Sequence, residues 1–81
     1  MNRDPGLLLD IVLAARQILA YKEGMGLPEF QGDEKTQAAV LYQLTVIGEA
    51  ARQRSRELKQ AHPSVPWHSV VALRNLIVHE Y

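Results

Sequence analysis

Apolar residues recur along this 81-residue chain at three- and four-residue spacing, the period of one face of an α-helix. Leu7, Leu8, Ile11, Val12, Ala15, Ile18 and Leu19 make a first stripe. Asp4, as a capping carboxylate, and Pro5, at a first helical position, predict where it starts. Gly24, Gly26 and Pro28 predict its end, giving a helix over about 4–22. Leu27 and Phe30, in the linker that follows, are expected to tuck against the bundle. A second stripe, Val40, Leu41, Leu44, Ile47, Ala51 and Leu58, follows Asp33, a capping residue that with Glu34 suits the positive end of a helix dipole. It predicts one unbroken helix over about 33–61. Gly48 interrupts that helix at a cost of about 1 kcal/mol, so another helix is expected to pack closely there. Pro66 opens a third helix over about 66–80, with Val70, Leu73, Leu76 and Ile77 as its buried face. No strand-like alternation appears. The reading is all-α: a single domain over 1–81, an up-down bundle of three helices, with any fourth helix expected beyond Tyr81.

Length and composition add a constraint. A chain this short buries roughly 60–65% of the surface its unfolded form exposes, and chains of this size commonly need disulfides, metal or self-association. There is no cysteine, and His62, His68 and His79 lack the spacing of a zinc motif, so no metal site or cofactor is implied. Self-association remains, and a 47% share of hydrophobic residues agrees with it. The net charge of zero means that any contact with nucleic acid must come from local clustering. The first residues lack the pattern of a signal peptide, and no apolar run approaches the ~20 residues that span a bilayer. A soluble, cytoplasmic protein is expected.

Candidate chemistry gathers in Arg74-Asn75-Leu76-Ile77-Val78-His79-Glu80-Tyr81. A cation, an amide, an imidazole and a phenol stand within about two turns of the third helix. Arg74 and Tyr81 fall within ~20° of one another, and Asn75 and His79 stack on a neighbouring strip. Arg74 and His79 are about 140° apart, so they meet only if the helix loosens or a twofold axis brings two chains together. The second arrangement also answers the need for self-association. Such a set supports metal-independent cleavage of RNA. A free imidazole titrates near ~6.5 and can take a proton from a ribose 2′-hydroxyl and return one to the leaving oxygen. Arg74 can grip the phosphate and stabilise the pentavalent state. Asn75 can orient His79 or the phosphate, and Tyr81 can donate a hydrogen bond or stack on a base. Spacing alone leaves the plainer alternative open, in which Arg and His serve the last carbonyls and the helix dipole.

Glu49, Arg52, Arg56 and Lys59 share one stripe of the predicted second helix. They are either a solvated face laced with ion pairs, or a track on which Arg52, Arg56 and Lys59, with Arg54 nearby, follow an RNA backbone. Glu49 is also placed to pair with Arg74 and fix its aim. Trp67 is expected as an anchor in the core or an interface, and His62 and His68 as surface residues.

Arg74-x4-His79-x-Tyr81 resembles the R-x4-H-x-Y signature of HEPN-domain proteins, and specifically looks like the HepT-like toxin family. Asp33-x-x-Thr36-Gln37-x-Ala39-Val40, Ile47-Gly48-Glu49-Ala50-Ala51 and Pro63-x-x-Pro66-Trp67 look like that family too, so the likeness covers nearly the whole chain. It implies a helical, homodimeric, metal-independent endoribonuclease with catalytic Arg74 and His79 in a composite interface site. It further implies the toxin half of a toxin–antitoxin pair whose partner is a small nucleotidyltransferase (MNT-type) antitoxin, able to transfer AMP from ATP onto Tyr81. Members of the family continue past the tyrosine into a further helix, which is expected to be missing here. Two alternatives stand beside this one: a non-catalytic helical dimerisation module that binds a nucleotidyltransferase, and a nucleotide-binding HEPN subunit.

Overall fold

The computed structural model describes residues 3–80, which are all helix and connecting turns. The helices are α1 (Asp4–Tyr21), α2 (Leu27–Gln31), α3 (Glu34–Arg52), α4 (Arg56–Ala61) and α5 (Trp67–Glu80). α3 lies in the middle, with α1 and α5 both packed on it. Leu7 sits beside Ala50 and Gln53, whereas Ala14 sits beside Tyr42 and Gln43, so α1 and α3 run in opposite directions. Trp67 and Val70 likewise meet Ile47 and Ala51, while Leu76 and Ile77 meet Val40 and Leu41. The three long helices therefore run up, down and up, as expected of an up-down bundle. Val12 and Leu19 of the first stripe, however, and Leu73 and Leu76 of the third helix's expected buried face, are exposed.

The core is small. Ala51, Leu58 and Trp67 form its centre, with Leu8, Ile11, Val70 and Val71 packed around them. Trp67 is 5% exposed, and its indole N–H donates to the His62 carbonyl at 3.0 Å, which satisfies the one polar atom of an otherwise apolar anchor. His62 and His68 are exposed, as expected.

Three boundaries differ from the sequence reading. The helix expected over 33–61 is divided at 53–55. Ser55 caps a new helix by accepting from the Leu58 amide at 3.0 Å, and Leu58 turns back onto the tryptophan that Ala51 also meets. Asp4 is inside α1 rather than at its cap. Its carboxylate accepts instead from the Ser55 amide at 3.1 Å and from the Ser55 hydroxyl, tying the start of α1 to the break. Pro66 lies one residue before α5, and its carbonyl accepts from the Val70 amide.

The linker after α1 is more ordered than its glycines suggest. Gly24 takes a φ of 72°, in the left-handed region that glycine enters without strain, and ends the overrun of α1. Pro28, read from sequence as a stop, instead stands in the first turn of α2. Phe30 is half-buried and lines an open apolar groove of about 660 Å³ with Val40, Leu41, Leu44, Leu73 and Leu76. Leu27, expected to tuck in beside it, is 67% exposed. The cap of α3 is as predicted: Asp33 accepts from the Thr36 amide at 3.0 Å and from its hydroxyl at 2.8 Å.

Candidate functional site

The crossing of α3 and α5 holds the polar cluster around Arg74. Two helices approach this closely because Gly48 has no side chain. A Cβ there would stand 2.1 Å from Cβ of Arg74 and 2.7 Å from its Cγ, far inside contact distance. The stem of Arg74 thus lies flat on the α3 backbone, and its guanidinium emerges beside the next residue, Glu49. Arg74 Nη2 and Glu49 Oε2 form an ion pair 3.1 Å apart. On the other side, Arg74 Nη1 donates to the amide oxygen of Asn75 at 3.0 Å. The Nε of Arg74 is buried without a partner. The pairing of Glu49 with Arg74 expected from sequence is present, and the close neighbour of Gly48 is α5 of the same chain.

Glu49 is itself held. Arg52 donates to both of its oxygens, through Nη2 at 2.7 Å and Nε at 3.3 Å, and Gln53 donates to Oε1 at 3.1 Å. The hydrogen bonds from Arg52, then from Gln53, keep the Glu49 carboxyl below its ordinary range. The same contact raises Arg52. Sequence reasoning missed Gln53, whose position four residues after Glu49 was the available signal.

The amide oxygen of Asn75 accepts from Arg74, and its NH2 group is the part that can donate to a phosphate. His79 is exposed in the last turn of α5. Because α5 continues as α-helix through Glu80, the chain does not loosen between Arg74 and His79, and about 140° of helix rotation separates them. One chain therefore does not aim both at one small target. Tyr81 lies outside the described residues.

The basic stripe is not one stripe. Arg52 ends α3 and is engaged by Glu49, whereas Arg56 and Lys59 stand exposed on α4, beyond the break. Arg54 lies in the connecting turn, its Nε buried without a partner. Among the described residues no three His, Cys, Asp or Glu side chains gather where a metal ion could sit, and no helix is long and apolar enough to cross a membrane.

Comparison with known proteins gives concordant matches. The model of a family described as "Ribonuclease HepT-like" matches residues 11–81. "Putative RNase MJ1380" of Methanocaldococcus jannaschii is 32% identical over 74 residues, which cover 91% of this chain and 68% of that protein. "Probable ribonuclease HepT" of Thermococcus cleftensis is 34% identical over 74 residues, 91% of this chain and 67% of that protein. A further M. jannaschii protein, "Putative RNase MJ0127", is 36% identical, and the chain spans 61% of its length. No solved structure matches the chain significantly.

Proposed function

This chain belongs to the ribonuclease HepT-like family, and from that premise we propose that it is a metal-independent endoribonuclease, the toxin half of a toxin–antitoxin pair, whose site is completed across a homodimer interface. The observation that carries the reading is the posture of Arg74. Its guanidinium is fixed between Gly48, Glu49 and Asn75, on the helix that also presents His79. A guanidinium has five N–H groups. One goes to Asn75 and one, on Nε, is buried, which leaves three on the Nη atoms, beside the ion-paired Glu49, for a phosphate.

In the proposed reaction His79 of one chain takes the proton of a ribose 2′-hydroxyl. The freed oxygen attacks the adjacent phosphorus, Arg74 stabilises the extra charge of the pentavalent state, and the bond to the 5′-oxygen breaks. The leaving oxygen takes its proton from His79 of the second chain, so the products are a 2′,3′-cyclic phosphate and a 5′-hydroxyl. Arg56 and Lys59 extend the contact with the RNA backbone. The control point is Tyr81. A nucleotidyltransferase antitoxin transfers AMP from ATP to its hydroxyl with release of pyrophosphate, and the added anionic nucleotide, two residues from His79, repels the RNA phosphate.

Arg74→Ala and His79→Ala are each expected to abolish RNA cleavage and growth inhibition while leaving the helical content intact. Cleavage that survives either change sinks the mechanism. A wild-type protein that co-purifies with a nucleotidyltransferase yet cleaves no RNA would establish the non-catalytic dimerisation module instead.

A further inference from the structure

We propose that Glu49 and Arg52 are positioning residues: Arg52 holds the Glu49 carboxylate, and Glu49 aims the guanidinium of Arg74 at the phosphate. The inference builds on the ribonuclease reading of Arg74 and takes Arg52 out of the RNA-tracking set in which its sequence position puts it.

The argument starts from a count of acceptors. A carboxylate offers about four lone-pair sites on its two oxygens. Glu49 Oε1 accepts from Arg52 Nη2 and Gln53 Nε2, and Oε2 accepts from Arg52 Nε and lies 3.1 Å from Arg74 Nη2 in an ion pair. Three hydrogen bonds and a second cation thus engage both oxygens. The hydrogen bonds hold the carboxyl below its ordinary range and keep it ionised. Glu49 is therefore an anchor and not a general base.

The donors complete the case. Arg74 meets Glu49 as an ion pair through Nη2 alone, so a phosphate can bind the free Nη hydrogens without displacing the carboxylate. Charge follows the same logic. Arg52 neutralises Glu49, which leaves Arg74 with its full positive charge toward the substrate despite its acidic neighbour. Arg52 meets Glu49 with its Nε–Nη2 edge, the fork that would otherwise grip a phosphate bidentately. Gly48 supplies the floor under the Arg74 stem, so guanidinium and stem are both fixed before substrate arrives.

The test compares Glu49→Ala, Glu49→Gln, Arg52→Ala and the Glu49→Ala/Arg52→Ala double variant in the full-length protein, with single-stranded RNA as substrate and circular dichroism to confirm folding. Glu49→Ala is expected to lower kcat roughly 10- to 100-fold with KM nearly unchanged, the signature of a displaced group that binds in the transition state. Glu49→Gln, which keeps an oxygen for Nη2, recovers most of the loss. Arg52→Ala loses less, in kcat, and the double variant is no worse than Glu49→Ala, because both act through one link. An increased KM in Arg52→Ala that multiplies with Glu49→Ala overturns the proposal, since Arg52 then touches RNA directly. A Glu49→Ala protein that binds RNA more tightly and cleaves faster also overturns it, since Glu49 is then a competitor for Arg74. A second arm needs no cleavage. The ¹⁵N signals of the Arg74 guanidinium are expected to report restricted rotation in the wild type and free rotation in Glu49→Ala. Identical signals in the two proteins overturn the positioning role. If wild-type protein leaves RNA intact, the ribonuclease reading falls while the guanidinium spectra still decide whether Glu49 holds Arg74.

Discussion

Gly48 shows how much one missing side chain decides. Helix propensity alone favours alanine at a mid-helix position by about 1 kcal/mol. Here a Cβ would stand 2.1 Å from Cβ of Arg74, and over-packing of that kind costs about 1–3 kcal/mol, so the packing term outweighs the propensity term. Gly48→Ala is expected to lower the unfolding free energy by about 1–2 kcal/mol and to reduce activity by pushing Arg74 off its floor. Chemical denaturation of the two proteins decides it, and an alanine variant as stable as the wild type would remove the steric constraint. At this scale the sequence was informative but incomplete. A glycine inside an amphipathic stripe announces a close neighbour, yet naming Arg74 as that neighbour requires the register of α5 on α3. Glu49 and Arg74 carry complementary charge, so their pairing was legible. Gln53, four residues after Glu49, was legible by spacing; the use of Asn75 as a brace was not, because an amide has many partners within reach of any helix face.

At the scale of elements, the informative failure is the break at 53–55. Gln53-Arg54-Ser55 contains neither glycine nor proline, and the apolar spacing from Ala51 to Leu58 fits a continuing helix. Ser55 holds the break from two sides: its hydroxyl caps α4 locally, and its amide and hydroxyl donate to Asp4, 51 residues away. A serine is a local capping signal, but no local pattern contains the contact with Asp4. Ser55→Ala removes both the cap of α4 and the hydroxyl bond to Asp4, and is expected to cost about 1–2 kcal/mol, read as a lower thermal midpoint. A midpoint equal to that of the wild type would show that the break forms without the serine.

The cap of α3 gives the opposite case, a local signal that worked, and it carries a pH prediction. The amide and then the hydroxyl of Thr36 hold the Asp33 carboxyl below its ordinary value. A group whose folded pKa is depressed contributes stability above its unfolded pKa and loses that contribution as pH falls through the folded one. The loss is therefore expected below about pH 4, near the ordinary aspartate value. Asparagine caps a helix about as well as aspartate but does not titrate. Unfolding free energies are expected to agree for wild type and Asp33→Asn near about pH 5 and to diverge as the pH falls toward about 2, with the wild type losing stability and the asparagine variant keeping its cap. Parallel curves across that range would mean that the cap does not depend on the charge.

At the scale of the molecule, the balance of buried and exposed apolar groups bears on how the site is completed. Among the described residues seven hydrophobic side chains are buried, three of them alanines, whereas ten large hydrophobics are exposed. Leu9, Val12, Leu13 and Leu19 line the outer side of α1, and Leu73 and Leu76 line α5 beside the apolar groove. Few solitary small domains leave so much apolar surface in water, and association is the usual way to cover it. The geometry of α5 makes the same demand for a different reason, since regular helix keeps Arg74 and His79 on separate faces. A twofold arrangement answers both, and it has a consequence that a self-sufficient monomer lacks. If cleavage draws its base from His79 of one chain and its acid from His79 of the other, a dimer with a single His79 is inactive. After wild-type and His79→Ala chains are unfolded and refolded together at equal concentration, half of the dimers are mixed and a quarter are wild type, so activity is expected at about a quarter of that of the same total amount of wild-type protein. If each His79 works alone, the mixed dimers keep half of their activity and the mixture reaches about half. The cleavage assay on the refolded mixture, with each protein refolded alone as the baseline, separates the two.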